Sequence, residues 1–296
     1  MTVLVTGGTG FLGSHLIEQL TRTGDSVRAL ARSSIGDELL RSLGATPIRG
    51  DLGDADSLDR ACEGCEAVYH SAARVELDGS EEEFHETSVA GTRRLVEAAG
   101  RAGVRRFVQV SSCAVYLGSV PGPGNLIDES TPVFEPPQWF GYSRAKYHAE
   151  QTVRTCCLAS LEWTIVRLGA LYGPRNRAIR TYLEPALKDS MMRIVGDGRN
   201  NLLLVYVEDA ARAVILAGRC KEAAGKTFLV GPIEPCTQQE YFNAMADGFG
   251  VPRPTKHINY HLAFFLAWLG EYFGRSGPRR ASTRPARRLF ARATRA

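Results

Sequence analysis

No stretch of this chain approaches the ~20 consecutive apolar residues that a membrane span requires. No basic segment precedes its first apolar run, which itself reads as a strand, so no secretory leader is expected. Cysteine is sparse and unpatterned. Seven residues form no regular framework, and Cys62 and Cys65, spaced like half of a metal site, have no second pair and no nearby histidine. Free thiols in a reducing, cytoplasmic setting are therefore expected in place of disulfides or zinc. His15, His148, His257 and His261 likewise show no metal-ligand spacing, and all six histidines are read as structural. Acidic residues are missing from 274–296, where eight arginines accumulate (Arg275, Arg279, Arg280, Arg284, Arg287, Arg288, Arg292 and Arg295). Those eight charges exceed the formal net charge of +4, so the remainder of the chain is net acidic. The basicity is expected to belong to a solvated, disordered tail and not to a nucleic-acid-binding fold, and no nucleic-acid partner is expected.

What the sequence does contain begins at once. Val3-Leu4-Val5 reads as an apolar strand and runs through Thr6 into Gly7-Gly8-Thr9-Gly10-Phe11-Leu12-Gly13. Leu12, Leu16, Ile17 and Leu20 then mark one face of a helix. Gly7 and Gly8 permit a tight turn, Gly10 has no β-carbon to keep a pyrophosphate from the backbone, and Gly13 lets the helix lie close to the strand. The first helical turn, with Phe11 and Leu12, presents N–H groups and the positive dipole end to phosphates. This is the pattern of a dinucleotide site, because the glycines stand between a strand and a helix.

Further strand-like runs (Ser26–Ala31, Thr46–Arg49, Ala67–His70, Phe107–Val110, Thr164–Val166) alternate with helical patterns at about 11–23, 55–63, 81–101 and 141–159. Such alternation predicts an α/β fold, a doubly wound parallel sheet of Rossmann type with helices on both faces. Residues 1–173 are expected to form the dinucleotide-binding domain. Residues 174–273 are expected to form a smaller substrate lobe, from which a helix and a strand return to the first domain, and 274–296 form the tail. The prolines and glycines of 117–140 prevent regular structure there, so that loop is read as part of a substrate pocket. The apolar run Leu262–Leu269 is expected to cap the lobe or dock on a partner; resting with the arginine tail on a membrane interface is the lesser alternative.

Chemistry enters at Tyr142-Ser143-Arg144-Ala145-Lys146, where four residues make one helical turn and set a phenol and an ammonium on the same face. A nearby cation favours phenolate, so the pair can move a hydroxyl proton while hydride passes to or from a nicotinamide. Ser112, at the carboxyl end of the Val108-Gln109-Val110 strand, can hold the substrate oxygen against Tyr142.

Together these segments resemble the extended short-chain dehydrogenase/reductase family, its epimerase/dehydratase-type group. Thr6–Gly13 is similar to its T-G-x-x-G-x-x-G, Tyr142 and Lys146 to its Tyr-x-x-x-Lys, and Ser112 to its catalytic Ser or Thr. Gly50-Asp51-Leu52, His70-Ser71-Ala72-Ala73, Gly91-Thr92, Arg167 and Gly196-Asp197-Gly198-Arg199 follow in the family's order over roughly residues 1–250. The resemblance implies that Asp51, with Leu52, meets the adenine, that Ala72 and Ala73 line the nicotinamide side, and that Lys146 also holds the nicotinamide ribose. It also implies a homodimer paired through the helices near 81–101 and 141–159.

Three departures shape the expected activity. Ser88 replaces the asparagine of the family's Asn-x-x-Gly-Thr. Cys113-Ala114 stands where 4,6-dehydratases carry Asp-Glu, which argues against sugar dehydration. Leu202-Leu203-Leu204-Val205-Tyr206 supplies no cation where nucleotide-sugar epimerases grip a diphosphate, although Arg199 or Arg175 could substitute. The expected reaction is therefore hydride transfer at a secondary alcohol or ketone of a small, apolar substrate. A nucleotide-sugar epimerase and a catalytically silent dinucleotide-binding regulator are the alternatives. The strand Val27–Ala31 ends in Arg32-Ser33-Ser34, not in an acid that would bind a ribose 2′-hydroxyl, so NADP is expected over NAD.

Overall fold

The computed structural model describes residues 1–74, 80–119, 127–138, 140–157, 160–232, 234–263 and 265. The arginine tail and most of the Leu262–Leu269 run lie outside these residues, as does part of the 117–140 loop. The chain divides into two compact units. The first joins Met1–Gly118, Asp128–Pro174 and Val205–Gly231, and the second comprises Ser119–Ile127, Arg175–Leu204 and the chain from Pro232.

Seven strands make the sheet of the first unit: β1 (Thr2–Thr6), β2 (Ser26–Ala31), β3 (Thr46–Arg49), β4 (Ala67–His70), β5 (Arg106–Ser112), β6 (Glu162–Leu168) and β7 (Lys226–Val230). All pair in parallel, in the order β7-β6-β5-β4-β1-β2-β3. Parallel strands covered on both faces need apolar side chains in both directions, and Val3, Leu4 and Val5 are all fully buried. Val3 and Val5 join a cluster with Leu16, Ile17 and Leu20 of α1 (Phe11–Arg22), whereas Leu4 joins Leu58, Leu95 and Val153 on the opposite face. The second cluster is covered by α3 (Ala55–Cys62), α5 (Gly91–Arg101) and α6 (Gly141–Cys156). The expected doubly wound α/β architecture is the one observed.

Two elements of the first unit escape sequence patterning. A six-residue helix, α2 (Asp37–Ser42), follows β2, its only local signal being Asp37 and Glu38 in the first turn. The helix expected at 81–101 is divided: α4 (Glu81–His85) opens on a Ser80–Glu83 capping box, Glu86–Ala90 winds as a π turn, and α5 follows. After residue 204 the chain returns to the sheet. Helix α7 (Val207–Arg219) buries Val207, Ala210, Ala211 and Val214 on the α1 side, and β7 pairs alongside β6.

The second unit has its own small elements. Asn201–Leu202 pairs antiparallel with Cys236–Thr237, and Ile194–Val195 pairs parallel with His257–Ile258. Its longest helix among the described residues, Gln238–Phe249, opens on a Thr237–Glu240 capping box and closes at Gly250 with φ 67°. No helix among the described residues is long and apolar enough to cross a membrane.

Candidate active site

The sheet order reverses between β1 and β4, which opens a crevice at their carboxyl ends. Thr6 and His70 are register partners at that point. Beyond Thr6 the chain turns through Gly7 with φ 71°, and a β-carbon on Gly7 would lie 2.8 Å from the Ala72 nitrogen. A β-carbon on Gly13 would strike the Gly7 carbonyl oxygen and lie 2.9 Å from Gly8 Cα. The helix thus starts against the turn's own backbone, a closer approach than the strand contact expected from the sequence. A β-carbon on Gly10, by contrast, would meet only the Gly7 oxygen, at 3.0 Å. Gly10 is also the N-cap of α1 and, as a glycine, supplies no side-chain cap to the first-turn N–H groups. A glycine open to one side and an uncapped helix start fit a pyrophosphate. Phe11, Leu12 and Gly13 form the turn that would receive it.

Ser112 closes β5, its Oγ accepting the Ala114 N–H at 3.2 Å, a bond that leaves the serine's own hydrogen for another acceptor. Tyr142 and Lys146 stand one turn apart on α6, Tyr142 half-buried and Lys146 only 4% exposed. Lys146 Nζ donates to the Val110 carbonyl at 2.8 Å, two residues before Ser112. Burial lowers its pKa from 10.5 to about 8, against an opposing pull from Glu150.

Glu150, a further turn along α6 and 1% exposed, anchors the helix. Its Oε1 accepts from Ser111 Oγ at 2.6 Å and from Arg167 Nε at 3.0 Å, and Oε2 accepts from the other end of the Arg167 guanidinium at 2.7 Å. Arg167 also donates to the Tyr116 hydroxyl at 2.8 Å, which donates to the Asp128 carbonyl at 2.9 Å. This buried bidentate pair fixes α6 against β5 and β6, and through them the rotation that presents Tyr142 and Lys146. Sequence reasoning assigned Glu150 no role. Its i+4 spacing from Lys146 was the available signal, but a carboxylate on an amphipathic helix more often faces solvent.

Ala72 and Ala73 are half-buried at the end of β4, with Ala72 against Gly7. Arg32 and Asp51 stand apart, exposed at the ends of β2 and β3, which the bond from Gly50 N–H to the Ala31 carbonyl (3.2 Å) holds together. Asp51 Oδ1 accepts the Gly53 N–H at 2.7 Å, and Leu52 is buried against Gly91. The first acid after β2, Asp37, is engaged by Arg49 at 2.7 Å and Arg41 at 3.6 Å. Among the described residues no cluster of His, Cys, Asp or Glu could hold a metal.

The sequence profile of the NAD dependent epimerase/dehydratase family matches residues 3–231. The chain is 33% identical over 276 residues to a 2-alkyl-3-oxoalkanoate reductase of Stenotrophomonas maltophilia, covering 92% of this chain and 82% of the relative. It is 30% identical over 276 residues to a 4-hydroxy-2-methyl-3-oxo-4-farnesyl-3,4-dihydroquinoline-1-oxide ketoreductase of Stigmatella aurantiaca, covering 93% and 81%. Among solved structures it is similar to a dTDP-glucose 4,6-dehydratase of Streptomyces venezuelae with NAD bound, with a TM-score of 0.73 and 29% identity over 88% of this chain and 84% of that one.

Proposed function

The chain belongs to the NAD dependent epimerase/dehydratase family of nicotinamide-dependent enzymes, and on that premise we propose that it reduces a ketone, or oxidises the corresponding secondary alcohol, on an apolar substrate with NADP. The bound dinucleotide supplies or accepts the hydride. Tyr142 transfers the proton at the substrate oxygen, Ser112 donates a hydrogen bond to that oxygen, and the Lys146 ammonium favours the phenolate. One observation carries the assignment: Lys146, a turn after Tyr142, is bonded to the Val110 carbonyl of the same strand end that bears Ser112. Asp51, Leu52, Ala72 and Ala73 are assigned to the adenine and nicotinamide ends by the family resemblance.

NADP is favoured because Arg32 is exposed at the end of β2, with no acid before Asp37, whose carboxylate is already tied to Arg49 and Arg41. An apolar ketone is favoured because the two relatives above are named for 3-oxo substrates with alkyl or farnesyl groups. Cys113-Ala114 after Ser112 offers no acid and base for dehydration.

The test is a substrate panel of 2-alkyl-3-oxoalkanoic acids, sterol ketones and nucleotide sugars, followed by NADPH absorbance and product stereochemistry. Net NADPH consumption with an apolar ketone is expected. Inversion of a nucleotide sugar without net cofactor turnover would instead assign epimerisation. A homodimer through α4, α5 and α6 is also proposed. Their described outer positions include Arg93, Glu97, Gln151 and Thr155, and no large hydrophobic side chain is exposed there, so the pairing would be polar and salt-sensitive in sedimentation.

A further inference from the structure

Both ring nitrogens of His70 are engaged. Nδ1 lies 2.6 Å from Thr6 Oγ1 and Nε2 lies 3.0 Å from Thr92 Oγ1, with all three residues at most 1% exposed. Counting hydrogens assigns the direction of every bond. The Ser88 carbonyl can only accept, so the Thr92 hydroxyl hydrogen lies on it, at 2.6 Å. Thr92 Oγ1 therefore receives the hydrogen of Nε2. The Nδ1 of such a ring carries a lone pair, which takes the Thr6 hydroxyl hydrogen. Thr6 Oγ1 in turn accepts the Ala72 N–H, at 3.3 Å. The bonds form one directional series from Ala72 through Thr6, His70 and Thr92 to the π turn at Ser88. A second tie, from Ser71 Oγ to the Thr6 carbonyl at 2.7 Å, joins the same two strand ends.

The other neutral tautomer breaks the series twice. It leaves Nε2 facing an oxygen whose hydrogen is already committed, and it strands the Thr6 hydrogen in the core. A doubly protonated ring has the second fault and adds a charge in a fully buried site that also faces the Lys146 ammonium. Consistent with this, burial pushes the His70 pKa down to about 3.

We propose that His70 is a positioning residue for the dinucleotide: fixed as the neutral Nε2–H tautomer, it directs the Thr6 hydroxyl so that Ala72 is held against the Gly7 turn. This role rests on reading Gly7–Gly13 as the pyrophosphate site and extends that reading to residues that touch no ligand. Thr6 and His70 sit where the sheet order reverses, so the series spans the crevice floor between β1 and β4.

The experiment uses the full chain with ¹⁵N-labelled histidine, alongside NADPH and NADH titrations followed by nucleotide fluorescence. The His70 ring, identified by its loss in His70→Asn, is expected to show the neutral Nε2–H signature from about pH 5 to about pH 8. Thr6→Val, which keeps side-chain volume and removes both bonds at Oγ1, is expected to weaken NADPH and NADH alike by about tenfold. Thr6→Ser is expected to restore both, which a loss of packing alone would not allow. An Nδ1–H or doubly protonated ring in the wild type, or Thr6→Val affinities within about twofold of wild type, overturns the role of His70. Wild-type protein that binds neither dinucleotide overturns the glycine-turn reading itself, and the inference with it.

Discussion

Replacing Lys146 by methionine removes an ammonium that the fold holds at a cost. The side chain is 4% exposed, and its Nζ makes a 2.8 Å bond to the Val110 carbonyl. Its pKa falls from 10.5 to about 8. A depression of that size corresponds to ~3 kcal/mol of stability forgone at neutral pH, where both folded and unfolded chains are protonated. Methionine removes the Lys146 bond to the Val110 carbonyl, which keeps the Gln109 Nε2–H donor at 3.2 Å. The lost bond is worth ~1 kcal/mol, so Lys146→Met should stabilise the apo protein by a net ~2 kcal/mol at about pH 7. The pH dependence isolates the ammonium. Between about pH 8 and about pH 10.5 the unfolded wild type binds the proton that the folded wild type has released, so wild-type stability rises with pH across that window. The variant has no such titration, and its advantage should shrink by ~2 kcal/mol at about pH 9.5. Urea denaturation of both proteins at the two pH values measures the difference, since titrations common to both cancel. A stability gap that does not change with pH would refute the reasoning. Catalysis should move the opposite way, with turnover falling while stability rises.

Four further outcomes are expected. Tyr142→Phe should lower turnover by ~100-fold or more while NADPH affinity stays within about twofold, measured by steady-state kinetics and fluorescence titration. Arg32→Asp should lower the NADPH-to-NADH affinity ratio by about tenfold or more, and an unchanged ratio would remove Arg32 from the cofactor choice. Gly13→Ala drives a methyl group into the Gly7 carbonyl, so dinucleotide binding should be lost in calorimetry. Glu150→Gln leaves the buried Arg167 guanidinium without its counter-charge and should cost ~3 kcal/mol in chemical denaturation.

The elements that were legible in the sequence carry their signal locally. Val3–Val5 followed by glycines and the Leu12, Leu16, Ile17, Leu20 face needs only neighbouring residues to be read as strand, turn and helix. The Tyr142–Lys146 pair is legible for the same reason, because one helical turn fixes its geometry. The π turn at Glu86–Ala90 has no residue pattern of its own; the Thr92 hydroxyl binds the Ser88 carbonyl within it, and Gly91 at its end lies against Leu52, which is distant in sequence. His70 could be quoted as part of a motif, but nothing near it in sequence names its partners. Thr6 lies 64 residues away and Thr92 lies 22 residues away.

The sequence by itself determined a glycine turn between strand and helix, a parallel α/β sheet and a tyrosine and a lysine one helical turn apart, since each follows from side-chain size, periodicity or one turn of helix. Only the tertiary structure decided how those parts act together. It placed β1 beside β4, so that Thr6 and His70 meet where the sheet order reverses. It buried Lys146 on the strand that ends in Ser112, and it locked α6 in rotation through Glu150 and Arg167. Hydrogen-bond direction and desolvation depend on which distant residues are brought within 3 Å, and that is a property of the packed chain.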